Sequence, residues 1–224
     1  TIKYSTSDRI VALVNYAGNV TARKEGTATI TATVDDPRYA GTASYTVTIT
    51  KKAAGLAFPV ATAEAVIGEA FTAPVLSNPN NLSVNYTSSN SAVATISYTN
   101  GTVTIHQPGS AVMTASSEAT NTYEAGSATY TLTVSKGTAT LTFASAVVDA
   151  KVGVDFTPTL TVDPEGLHVV YSCSNTDLAT VATDGKVTPH GEGEVMITAT
   201  VDDDCYEGSA SYKMNIAKNE NGIS

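Results

Sequence analysis

An all-β array of tandem two-layer sandwiches is the fold class this sequence predicts, on three observations. Thr, Val, Ala and Ser dominate, with 11 Tyr, 4 Phe and no Trp, a set that suits pleated, half-buried surfaces. Apolar and small polar residues alternate with a period of two in the clearest segments, which packs one face and wets the other. A long phrase also recurs: VDDPRYAGTASYTVTI over 34–49 returns as VDDDCYEGSASYKMNI over 201–216, and self-similarity at a fixed spacing marks a repeat architecture.

The repeat is wider than that phrase. Phe143 follows Phe58 by 85 residues (143 − 58), and the same step carries Gly68 to Gly153, Phe71 to Phe156, Pro79 to Pro164, Leu82 to Leu167 and Tyr86 to Tyr171. It slips by a residue or more only across loops, where insertions are tolerated. The first stretch matches the back half alone: YSTSD (4–8) aligns with YTSSN (86–90) and YSCSN (171–175), and GTATITAT (26–33) with GSAVMTAS (109–116). The expected organisation is a C-terminal half repeat over 1–51, full repeats over 52–135 and 136–218, and a tail or linker over 219–224. The counterpart of 53–82 is missing from the first. The chain does not begin with Met and reads as a processed or trimmed piece of something longer.

Within one repeat the elements follow in order. Strands are expected near 56–60, 66–76, 83–88, 92–98, 101–105, 110–116 and 126–134, short runs separated by turn signals. In the last of them Ala128, Tyr130, Leu132 and Val134 share one face, with Ser127 and three Thr on the other. The strand before it, in the third repeat, points Val195, Ile197, Ala199 and Val201 inward. Gly101 and Gly185, preceded by Asn100 and Asp184, mark tight hairpins that need positive φ. Tyr39, Tyr123 and Tyr206 recur in the loop before the final strand. Each is expected to lay its ring over the open end of the core and offer its hydroxyl to a loop backbone group. About seven short strands per repeat suit an immunoglobulin-like sandwich.

The runs VNYTSSNSAVATISYTNGTVTIHQPGSAVMTAS and VVYSCSNTDLATVATDGKVTPHGEGEVMITAT resemble the bacterial immunoglobulin-like group 2 (Big2) repeat. That pattern has Tyr-x-Ser-Ser-Asn, Val-Ala-Thr-Val, a Gly-x-Val-Thr hairpin and a Gly-x-Ala-x-Ile-Thr-Ala strand. The resemblance covers nearly the whole chain. It implies a surface-exposed or secreted bacterial protein, in which such modules serve as stalks, adhesin segments or spacers beside catalytic domains. It transfers no catalytic residue. Cys173 departs from the usual Ser of its run.

Charge and motifs narrow the functional classes. A net charge of −9 disfavours nucleic acid, whose recognition rests on clustered Lys and Arg, and anionic membrane surfaces likewise. No apolar run approaches the roughly 18 residues that span a bilayer, and no signal peptide is visible. No Ser sits in a nucleophile elbow or beside a His and Asp pair, so no catalytic residue is assigned and the segment reads as non-enzymatic. His106, His168 and His190 lack partners at metal-ligand spacing. Asp35, Asp36, Asp202, Asp203 and Asp204 are candidate calcium ligands, because adjacent carboxylates with loop carbonyls could supply several oxygens. They lack the spacing of a calcium loop, and a solvated acidic loop is the competing reading, so no cofactor is expected beyond that calcium candidate. Cys173 and Cys205 both arise in the third repeat and form a candidate disulfide, against which stands their separation along neighbouring strands.

The leading functional reading is a stalk or spacer that holds neighbouring domains of its parent protein away from a cell surface. The links TKKAAG (50–55) and VSKGTA (134–139) are too short to act as long flexible coils. The rival reading is a module that binds a glycan or a host surface protein through loops or exposed Tyr. The two differ in where the Tyr rings fall: capping cores repeat by repeat, or forming one exposed patch that includes Tyr16 and Tyr98. The half repeat adds an expectation of its own. The face of Ile30, Ala32, Tyr45 and Val47 should be incompletely buried or covered by another molecule, including a second chain.

Overall fold

In a computed structural model, residues 1–219 are described, and every regular element among them is a strand or a turn. The expected tail over 219–224 lies outside the described residues, apart from Asn219. No helix among the described residues is long and apolar enough to cross a membrane.

Residues 1–50 form β1 (Ile2–Thr6), β2 (Ala12–Val14), β3 (Val20–Ala22), β4 (Gly26–Val34) and β5 (Thr42–Ile49). Strands β1, β4 and β5 make an antiparallel sheet in that order, and β2 and β3 make a hairpin. The second repeat holds β6 (Thr62–Val66), β7 (Asn85–Ser88), β8 (Ala94–Ile96), β9 (Val103–Ile105), β10 (Gly109–Ser117) and β11 (Gly126–Ser135). Its main sheet runs β6-β11-β10-β7, with β6 parallel to β11 and the rest antiparallel, beside a β8-β9 hairpin.

The third repeat holds β12 (Gly137–Thr138), β13 (Thr140–Phe143), β14 (Val147–Lys151), β15 (Leu160–Asp163) and β16 (Val169–Cys173). It continues through β17 (Ala179–Val181), β18 (Val187–Pro189), β19 (Gly193–Val201), β20 (Tyr206–Glu207) and β21 (Ser209–Ala217). Its sheet β14-β21-β19-β16 copies that of the second repeat, joined by the pairs β13-β15, β17-β18 and β12-β20.

The alternation read from the sequence places the core. Along β11, Tyr130, Leu132 and Val134 are buried, and the three Thr between and beside them are not. Along β19, Val195, Ile197, Ala199 and Val201 are all buried. Each full repeat closes on a Tyr ring met edge-on by a Phe. Phe58 and Tyr130 have centroids 4.8 Å apart at 77°, and Phe143 and Tyr212 4.7 Å apart at 69°, the geometry that ring quadrupoles favour. The core of residues 1–50 is smaller: Val11, Ala12, Ala28 and Ile30, with Val47 and Ile49 half-buried beside them.

Two expected strands are absent from the second repeat. Instead of strands over 56–60 and 66–76, β6 occupies 62–66, and the segments flanking it keep a single isolated bridge, Ala57 to Ser77. The third repeat shows why. There β13 and β15 pair over four residues, and the ladder extends through the Ala144 N–H donating to Thr159 O at 3.0 Å. The counterpart of Ala144 is Pro59, which has no N–H to give, and Pro74 stands at the counterpart of Thr159. Gly68, at φ +83°, then turns the chain directly after β6, with the Glu69 N–H donating to Val66 O.

Candidate functional site at the joints between repeats

Both links are zipped onto the repeat that follows them. Lys52 pairs in parallel with Tyr123: its N–H donates to Thr122 O at 2.8 Å, and Glu124 N–H donates back to Lys52 O at 2.8 Å. At the equivalent place β12 pairs in parallel with β20. Gly137 N–H donates to Cys205 O at 2.9 Å and Ala139 N–H to Glu207 O at 2.8 Å. A backbone held by such bonds has lost most of the freedom of a coil.

Tyr206 adds a side-chain wedge to the second joint. Its ring lies against the backbone of Gly137 and its hydroxyl over Gly68 of the preceding repeat. A Cβ built on Gly137 would stand 2.7 Å from Tyr206 Cε1 and 2.5 Å from Ile67 O, and one built on Gly68 3.0 Å from the Tyr206 hydroxyl. The other flank of the ring packs on the cluster of Ala139, Leu141, Ala199 and Val201. Tyr206 therefore packs against its own core and also touches the neighbouring repeat, which no local pattern announces. Lys136 Nζ donates to Asp203 O at 2.6 Å across the same joint.

The acidic loop positions this ring. Asp203 Oδ1 accepts from Cys205 N at 2.7 Å and Tyr206 N at 3.0 Å. In the second repeat Thr120 Oγ1 does the same for Thr122 N and Tyr123 N. In the first, Asp36 Oδ1 accepts from Arg38 N at 2.9 Å, and that bond, with a further one from the Arg38 side chain, holds its carboxyl below the usual carboxylate range. Such side-chain bonds to nearby N–H groups stabilise turns. Asp35 is ion-paired to Lys3 at 2.9 Å, Asp202 faces His168 at 3.4 Å, and Asp204 is exposed. Among the described residues no three His, Cys, Asp or Glu side chains gather as a metal site.

Cys173 and Cys205 are both free. Cys173 sits opposite Ile197 while Cys205 lies beyond Val201, so about four residues of strand, ~13 Å, separate their levels. Cys173 Sγ donates to Asn175 O at 3.3 Å, and Cys205 Sγ faces His106 O of the second repeat at 3.9 Å. His106 and His190 answer to equivalent Thr hydroxyls, Thr95 and Thr180, each at 2.9 Å.

Gly101 and Gly185 take φ of +73° and +83°, and Gly18 takes +83° at the same turn of the first repeat. One relationship here is absent from the reading of the sequence: Tyr4, Tyr86 and Tyr171 each lie over one of these glycines, 2.8–3.0 Å from where its Cβ would stand. The signal was present in the aligned Tyr-x-Ser runs, but the contact joins residues far apart along the chain. Tyr123 is half-buried like Tyr206, whereas Tyr39 is exposed, with Arg38 above its ring. The remaining exposed rings are scattered: Tyr16 and Tyr98 on hairpin turns of different repeats and Tyr45 on β5.

The sequence profile of the bacterial Ig-like domain (group 2) matches residues 1–47, 69–126 and 138–206. The chain belongs to this family. Its three matched segments are the three Big2 stretches, and the group 2 hairpins are those built on Gly18, Gly101 and Gly185. No curated protein matches the chain. Among solved structures, this Big2 chain is similar to mouse protocadherin-24 EC1-3 at 14% identity and TM-score 0.34, over 98% of this chain and 90% of that one. It is similar to an intimin mutant of EHEC O157:H7 at 28% identity and TM-score 0.26, over 30% and 34%. It is also similar to domains 1-6 of the surface layer protein SbsC at 16% identity and TM-score 0.33, over 98% and 35%. At these scores the superpositions assign no function to the Big2 segment.

Proposed function

We propose that this Big2 segment is a non-catalytic stalk or spacer of a bacterial cell-surface or secreted protein, built of modules bounded near 51 and 135. The observation that carries this reading is the joint: both links are hydrogen-bonded into the following repeat, and Tyr206 wedges the second and third repeats together. A spacer must resist folding back on itself, and a bonded link with a packed ring does so where a flexible linker does not. The distribution of Tyr supports it. Tyr130 and Tyr212 close cores, Tyr4, Tyr86 and Tyr171 cover hairpins, and the four exposed rings sit on separate elements. A glycan platform needs convergent aromatic faces instead.

Pulsed electron-spin distance measurements between labels on β8 and β17 test the proposal. A single narrow distance distribution is the expected result. A broad distribution spanning folded-back distances, or saturable binding of the isolated segment on a glycan array, overturns it.

A further inference from the structure

The two full repeats differ along one seam, where the segment after the parallel strand passes the outer edge of the hairpin. In the third repeat that seam is bonded. Phe156 N–H donates to Val187 O at 2.9 Å, Val187 N–H donates back to Phe156 O at 2.8 Å, and Gly153 N–H donates to Pro189 O at 2.9 Å. Side chains stitch it from outside. Thr188 Oγ1 donates to Asp155 Oδ1 at 2.8 Å, and Lys186 Nζ pairs with Asp155 Oδ2 at 2.7 Å. Val187 and Pro189 are buried behind the stitch.

In the second repeat the same elements stand apart. On the inner side of β9, Ser97 N–H donates to Thr102 O and His106 N–H to Val93 O, which turns the main-chain groups of Val103 and Ile105 towards the seam. Among the described residues no backbone bond joins 67–72 to β9. A cleft of about 360 Å³ lies there instead, lined by Val66, Ile67, Phe71, Val103 and Ile105 among others. Val103 and Ile105 are only half-buried. The sequence supplies the reason. Ala70 and Thr102 stand where the third repeat has Asp155 and Lys186, while Thr104 matches Thr188. Fixing a segment costs chain entropy, and neither Ala70 nor Thr102 carries a charge that could offset it.

This segment is also the floor of the joint. Ile67 O lies against Gly137, and Gly68 lies under the Tyr206 hydroxyl. We propose that residues 67–72 form a latch, which closes on β9 by pairing Phe71 with Val103 as Phe156 pairs with Val187, and which in closing shifts the residues that Tyr206 rests on. The seam inside the second repeat and the geometry of the joint are then two ends of one linkage, with the two positions of 67–72 as its states. The inference goes beyond the spacer reading, because such a seam can close in a segment of any function.

Amide hydrogen exchange of the 224-residue protein reads both seams. Phe156 and Val187 should exchange slowly, and Phe71 and Val103 at nearly unprotected rates. Asp155→Ala should speed exchange in the third repeat's seam roughly three- to tenfold, the range for a partly exposed ion pair with an added hydrogen bond. Ala70→Asp combined with Thr102→Lys, both at exposed positions, rebuilds the stitch around Thr104 and should slow Phe71 and Val103 by a similar factor. In that double variant the distance distribution between labels on β8 and β17 should shift or broaden relative to the parent protein. The spacer reading is tested by the parent's distribution alone, so the two can fail separately. Three results overturn the proposal: Phe71 and Val103 as protected in the parent as Phe156 and Val187, no added protection in the double variant, or added protection with an unchanged distance distribution.

Discussion

The hydroxyl of Tyr206 lies over Gly68, two residues that belong to different repeats, and its ring rests on Gly137 in the link between them. The contact exists because neither glycine presents a Cβ. At Gly137 the nearest atom to an added Cβ is a backbone oxygen, Ile67 O at 2.5 Å, which cannot swing aside. Gly137→Ala should therefore open the joint. Labels on the second and third repeats would report a broader distance distribution, with each repeat still folded by circular dichroism.

The turn glycines carry a separate cost. Gly185 combines φ +83° with a Tyr171 ring 2.8 Å from the added Cβ. Gly185→Ala should destabilise the third repeat by about 1–3 kcal/mol, from strain in the left-handed region and displacement of the ring. Urea denaturation of the variant checks this.

Tyr212 buries a hydroxyl that has no hydrogen-bond partner, and so does Tyr130. An unsatisfied buried group disfavours the folded state, so removing it is tolerated better than removing its neighbours. Tyr212→Phe should leave stability unchanged or raise it by up to ~1 kcal/mol. Phe143→Ala should lower it by about 3 kcal/mol. Chemical denaturation would show a lower midpoint for Phe143→Ala and an equal or higher one for Tyr212→Phe.

The same burial governs alkaline behaviour. It pushes the Tyr212 hydroxyl up to about 12 from 10.0, with negative charge developing at Cys173 and Tyr171 acting in the same direction. Burial alone raises Tyr130. The folded state holds these protons more tightly than the unfolded chain, so their contribution is complete below about pH 10 and is lost as pH climbs towards 12. Circular dichroism across that window should show cooperative unfolding. Tyr212→Phe should move the transition to higher pH.

The cysteines give a simple check. Cys173 stands where the second repeat has Ser88, and neither thiol is bonded to the other. Cys173→Ser should change the melting temperature little, and a reducing agent should not change it at all. A drop of several degrees on reduction would reveal a bridge.

Much of the candidate site was legible in pieces. Tyr206 and the acidic residues before it stand out from the repeated phrase, and Asp203 proves to hold the Tyr206 N–H. The partners Gly68 and Gly137 did not stand out, because each also has a local reason to be glycine-like: one turns the chain after β6, the other opens a link. The strands misplaced in the second repeat failed for a related reason. Pro59 looks harmless within a short apolar run until a partner strand asks for an N–H.

Short-range patterning settles what a few neighbouring residues can encode. The two-residue alternation set which side chains of β11 and β19 go inward, the Asn-Gly and Asp-Gly pairs set the hairpins, and the 85-residue spacing set the array. Tertiary structure alone decided that Phe58 and Phe143 meet Tyr130 and Tyr212 edge-on, and that Tyr206 reaches a neighbouring repeat. Those outcomes depend on which distant segment arrives to cover a face, and burial is a property of the pair rather than of either residue.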